Sequence, residues 1–100
     1  MVAIGYTSKG KIKEFECSDG NLLCSYNDLV SLEIPYGVKY VWCYNNQLSE
    51  LILPEGVTNV YCHNNLLTEL IIPNGVKTVY CDKEIKGLEE FIGNIKIELW

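Results

Sequence analysis

One spacing governs what this chain can fold into. Cysteine occurs at Cys24, Cys43, Cys62 and Cys81, each nineteen residues after the last. Proline occurs only at Pro35, Pro54 and Pro73, on the same step. Gly37, Gly56 and Gly75 follow two residues after those prolines, and Val38, Val57 and Val76 follow the glycines. Asn27, Asn46 and Asn65 keep the step, as do Leu29, Leu48 and Leu67, then Leu32, Leu51 and Leu70. Seven columns in one register identify an internal repeat. Units of this size bury an apolar face only by stacking on their neighbours.

Within each unit the apolar pattern alternates. Val41 and Cys43, or Val60 and Cys62, are separated by single residues that fall on the other side of an extended chain. This predicts one short strand per coil, with coils stacked so that the strands form a parallel sheet. The Pro-x-Gly step predicts a type I turn, with proline second and glycine fourth. Nineteen residues leave too few for a helix on the far side, so that side is expected to be extended or 3-10. The asparagine column is expected to pair backbone groups that a tight coil takes out of water.

Each unit reads Val-x-x-Val-x-Cys-x-x-Asn-x-Leu-x-x-Leu-x-hydrophobic-Pro-x-Gly. This resembles the leucine-rich repeat, whose core is Leu-x-x-Leu-x-Leu-x-x-Asn-x-Leu. The units Val38 to Leu48 and Val57 to Leu67 carry the resemblance best, and it covers residues 19–82. It departs at the ends, where Asp19 takes the first apolar column and Glu84 the asparagine column. The resemblance implies a mainly β, right-handed solenoid with its parallel sheet on the concave face and an extended or 3-10 convex side. It also implies a protein that binds other proteins through the strand face. The Leu-x-x-Leu…Pro pattern looks like repeats of bacterial effectors that select substrates for an attached ubiquitin-ligase domain. No such domain fits in these 100 residues, so only the recognition role carries over.

The whole chain is read as one domain, with residues 1–18 and 83–100 as caps on the coils of 19–82. Val2 to Tyr6 and Lys11 to Cys17 read as strands around Ser8-Lys9-Gly10, and Asp19-Gly20 reads as a hairpin turn leading to Leu22-Leu23-Cys24. Together they predict an N-terminal β-meander. At the other end Ile85, Leu88 and Ile92 have helical spacing over Glu84 to Ile92, with Gly93 as the stop. Ile95, Ile97 and Leu99 then alternate with charged residues as a final strand, completing a helix-plus-strand cap.

Composition narrows the function. The formal charge of −5 argues against nucleic acid or an anionic membrane as the main partner. No apolar run approaches the roughly 18 residues of a membrane span, and the opening Met1 to Tyr6 lacks the basic and apolar regions of a secretion signal. Five cysteines invite a zinc or disulfide reading. Four of them in a line at ~4.8 Å intervals cannot surround one tetrahedral ion, and in-register thiols point the same way, which suits a disulfide poorly. They are expected to be small buried hydrophobes in a reducing compartment, hence a cytoplasmic protein, or one of the host-cell cytoplasm if the source is a pathogen or virus.

His63 follows Cys62, but consecutive strand residues face opposite sides, so they form no dyad. Its neighbours one period away are Tyr44 and Asp82, and a pairing with Asp82 would make the surface sensitive to pH. Ser25 shares the column but stands two strands off, ~10 Å away, too far to be activated by His63. No phosphate loop, HExxH or nucleophile elbow is present. The expectation is a non-enzymatic protein needing no cofactor and no metal.

Three outward columns follow from the period: Asn21, Tyr40, Asn59, Thr78; Leu23, Trp42, Tyr61, Tyr80; and Ser25, Tyr44, His63, Asp82. They hold five of the chain's eleven aromatics. Tyr40, Trp42, Tyr44, Tyr61, His63, Tyr80 and Asp82 are therefore the candidate binding residues, for a protein or peptide partner. In-register aromatics also stiffen a sheet, so a structural or self-associating solenoid without a dedicated ligand is the alternative. A face of ~400 Å² is half the ~800 Å² per partner of a standard interface, which suits a peptide or a weak contact. The last strand offers an edge through which a homodimer would form.

Overall fold

The structure, a computed structural model, describes residues 1–91 and 93–100. It is mainly β, with almost no helix among the described residues. Strands β1 (Val2–Thr7) and β2 (Ile12–Glu16) are followed by β3 (Asn21–Leu23), β4 (Leu29–Glu33), β5 (Tyr40–Trp42), β6 (Asn59–Tyr61), β7 (Thr78–Cys81) and β8 (Lys96–Leu99). Five of them form a parallel sheet in the order β3-β5-β6-β7-β8, so the chain makes a β-solenoid of about four turns.

The register of that sheet follows the repeat. Leu22 pairs Val41, Val41 pairs Val60, and Val60 pairs Val79, each one coil on. The ladder runs on through the cysteines, whose amides donate across coils: Cys24 N to Trp42 O at 2.8 Å, Cys43 N to Tyr61 O at 3.0 Å and Cys62 N to Tyr80 O at 2.8 Å. Behind the sheet lie the repeated Val, Cys and Leu columns, with Leu22, Leu29, Leu48, Val38, Val41, Val57, Val60 and Val79 fully buried. Each such side chain contributes ~1.5–3 kcal/mol through its removal from water.

The asparagines clamp coil to coil. Asn46 Oδ1 accepts the amides of Asn27 (2.9 Å) and Leu29 (3.0 Å), while its Nδ2 donates to the carbonyls of Cys24 and Cys43. Asn65 repeats this, accepting from Leu48 N and donating to Cys43 O and Cys62 O. Asn27 has no coil before it, and its Oδ1 accepts from Lys13 Nζ of β2 instead.

The turn at each Pro-x-Gly differs from the type I expectation. Gly37, Gly56 and Gly75 have φ of 106°, 101° and 93°. A positive φ after Tyr36, Glu55 and Asn74 is the third-position requirement of a type II turn, and glycine meets it without steric cost.

The ends also depart from expectation. β1 and β2 form the antiparallel hairpin, but the third strand of that sheet is β4, on the far side of the first coil, in the order β2-β1-β4. The segment at Leu22 belongs to the parallel sheet, so the N-terminal meander is really a hairpin docked on a coil. Gly5 makes the docking close, since a Cβ there would stand 2.7 Å from Leu29 Cδ2. Asp19 and Gly20, both at positive φ, do form the tight turn, but it closes only the bridge Ser18 to Asn21.

At the C-terminal end the expected helix over Glu84 to Ile92 is replaced by turns and a short 3-10 segment, Glu89–Phe91; Ile92 lies outside the described residues. Gly87 at φ 84° breaks the helical path, and Lys86 forms a parallel bridge to Glu69. Ile85 and Leu88 are buried as loop side chains. The final strand is present and extends the sheet, with Val79 opposite Ile97 and Cys81 opposite Leu99. Its step is eighteen residues, one short of the period.

Candidate binding face

The alternation of each strand decides which rings reach the surface. With Val41, Val60 and Val79 turned inward, their neighbours Tyr40, Trp42, Tyr61 and Tyr80 stand on the outer side, half-buried against one another. Parallel strands lie ~4.8 Å apart, so rings on equivalent positions meet at stacking distance. Trp42 and Tyr61 are stacked, with centroids 5.2 Å apart and planes within 15°. Tyr61 meets Tyr80 edge to face at 4.9 Å, and Tyr40 leans on Trp42 at 6.1 Å.

The next outward column forms a second stack. Tyr44 lies parallel to His63 at 4.6 Å, and Trp100 lies on the other face of the imidazole at 4.3 Å. Tyr26 closes the row edge-on to Tyr44 at 5.5 Å. The rings, with Asn45 and Asn64, line an open pocket of about 390 Å³ that no charged side chain lines. Tyr40 and Trp42 lie outside its lining.

Two expected members of the outward columns are not exposed. His63 is 8% exposed between its two ring neighbours, and its Nδ1 is buried without a hydrogen-bond partner. Burial holds the imidazole pKa below its ordinary value, against the opposing pull of the Asp82 charge. Asp82, also 8% exposed, turns away from the face. Its Oδ1 accepts from Asn64 N at 2.7 Å and its Oδ2 from Asn65 N at 3.0 Å. It thus does for the coil of Asn64 and Asn65 what the next asparagine would have done, since Glu84 stands in that column.

Two rings of the face, and the pocket-lining Asn45 and Asn64, escaped the sequence reading. Trp100 follows β8, and at the eighteen-residue step it occupies the position of Asp82. Aligning Ile97 and Leu99 with Val79 and Cys81 would have found it. Tyr26 precedes Asn27 as Asn45 precedes Asn46 and Asn64 precedes Asn65, and all three have left-handed backbones, with φ of 60°, 57° and 57°. Asparagine takes that conformation at little cost; tyrosine takes it under strain.

The pocket on this face is lined by aromatic rings and neutral polar side chains. Ser25 Oγ is buried and unbonded in the Tyr44 column rather than beside His63. All five cysteines are buried free thiols, and burial pushes Cys81 up to about 11, Cys24 up to about 12 and Cys43 well above its usual range. They are protonated at neutral pH and poor nucleophiles. Among the described residues no group of three or more His, Cys, Asp or Glu side chains is placed to hold a metal ion. Among the described residues no helix is long and apolar enough to cross a membrane. Comparison with family models, with curated proteins and with solved structures finds no match to this chain.

Proposed function

We propose that this β-solenoid is a leucine-rich-repeat-type recognition module that binds a protein segment or peptide across its aromatic face, without catalysis. The observation that carries the reading is the double row of rings, Trp42-Tyr61-Tyr80 and Tyr44-His63-Trp100, all but Trp42 lining one uncharged pocket. Tyrosine and tryptophan dominate binding hot spots because each buries a large rigid surface and keeps one polar handle. The polar handles here are phenol hydroxyls, an indole N–H and the amides of Asn45 and Asn64. They suit the carbonyls of an extended chain. The neutral lining fits neither nucleic acid nor a membrane surface, and thiols that stay reduced suit the cytoplasm. The β1-β2 hairpin and the segment after Cys81 serve as caps in this reading.

Selection of displayed peptides on the wild-type protein tests it. Recovered peptides should lose at least tenfold in affinity for Trp42→Ala/Tyr61→Ala while that variant stays folded by circular dichroism. Recovery of no peptide, or equal binding by the double variant, overturns the reading.

One observation favours a second reading, self-association. β8 is an edge strand of the parallel sheet, and its last residue Leu99 and the following Trp100 are each 58% exposed. An open strand edge is a template for another chain. Sedimentation across a hundredfold range of concentration decides it, and a monomer throughout removes it.

A further inference from the structure

The opposite side of the solenoid carries a surface of different character. Ile52 and Ile71 occupy one column of adjacent coils and are 71% and 84% exposed. They lie together, since both line each of two adjoining grooves of about 240 and 220 Å³. Glu50 and Glu69 line the first groove and Glu55 the second. All three carboxylates are exposed, and among the described residues none is in a salt bridge. No lysine lines either groove, and Lys86 meets Glu69 through its backbone. An isoleucine pair this bare, bracketed by acids of one sign, is poor design for a surface that meets only water.

We infer that this groove is a second docking surface, for a short cationic segment of another protein in which basic and aliphatic residues alternate. An aliphatic side chain seats between Ile52 and Ile71, removing both from water. Basic side chains on either side of it meet Glu50 and Glu69 at one end and Glu55 at the other. No charged side chain lines the pocket of the aromatic face, so the two sides select different chemistry. An anionic or purely apolar segment is rejected here, the first by repulsion and the second for leaving three carboxylates unpaired at the rim.

The test is fluorescence anisotropy with a labelled pentapeptide of alternating lysine and leucine, at physiological salt. Ile71→Ser should weaken binding at least tenfold and Glu69→Gln about threefold, whereas Glu14→Gln on β2 and Trp42→Ala/Tyr61→Ala should change nothing. Ile71, Glu69 and Glu14 are exposed, so an unchanged melting temperature confirms that those variants are folded, and a retained circular dichroism spectrum confirms it for the half-buried pair Trp42→Ala/Tyr61→Ala. Absence of binding overturns the inference. Equal weakening by Glu14→Gln does so too, because it marks attraction to net charge. Loss on Trp42→Ala/Tyr61→Ala alone places the peptide on the aromatic face and also overturns it.

Discussion

The imidazole of His63 lies parallel to the indole of Trp100, with centroids 4.3 Å apart and planes within 14°. Tyr44 covers the other side of the imidazole. A titratable ring is thereby enclosed by two apolar ones, and the enclosure rather than the Asp82 carboxylate sets its proton affinity.

His63 titration follows from that geometry. Its pKa is lowered in the folded state, so its contribution to stability is present above the unfolded value near 6.5 and is lost as the pH falls through the folded one. The urea midpoint should therefore decline below about pH 6.5, and His63→Phe should flatten that decline. Trp100→Ala should raise the His63 pKa toward its ordinary value in an NMR titration. No movement would show that the indole does not shield the ring.

Asn46→Ala should cost ~1–3 kcal/mol or more in urea unfolding, because it strands buried amides of Asn27 and Leu29 and carbonyls of Cys24 and Cys43. Asn27→Ala should cost less, since the Asn27 side chain bonds only its own coil and the exposed Lys13.

Tyr26 isolates a backbone effect. Tyr26→Asn and Tyr26→Ala both lose the contact with Tyr44, but only asparagine suits φ 60°. The asparagine variant should be the more stable of the two by about 0.5–1 kcal/mol. Equal melting temperatures would mean that the backbone relaxes at no cost.

The thiols predict an alkaline limit. Burial raises their folded pKa values from the ordinary 9.0, to about 11 for Cys81 and about 12 for Cys24. Their stabilising effect is complete below about pH 9 and is lost as the pH climbs through 11 to 12. A Cys24→Ala/Cys81→Ala variant should lose less stability between pH 8 and 10.5 than wild type. A thiol reagent at pH 8 should label the native protein only at the rate of unfolding.

What was legible in the sequence is what recurs. Val41, Val60 and Val79, or the aligned cysteines, announce their registry because identity and spacing repeat together. Where either fails, reading fails with it. Ile97 and Leu99 keep the chemistry of Val79 and Cys81 but arrive one residue early, which hid Trp100 from the face. Ile85 and Leu88 have helical spacing, yet their burial is set by the coil beneath them and by Gly87. Leu29–Glu33 is a strand only because β1 lies beside it, a tertiary fact with no local signal. Asp82 occupies an outward position by count, and only the missing asparagine at Glu84 explains why its carboxylate turns inward.

The way Asp82 finishes the asparagine row has an architectural meaning. Asn46 and Asn65 each ask for one thing, a preceding unit with free amides, and each supplies the same to its successor. A cassette of this kind tolerates duplication, since a copy inserted after Asn65 finds its partners ready-made on both sides. Asp82 accepts without donating onward and so acts as a terminator. The number of windings is then a tunable property of the array, while the identity of its last winding is not.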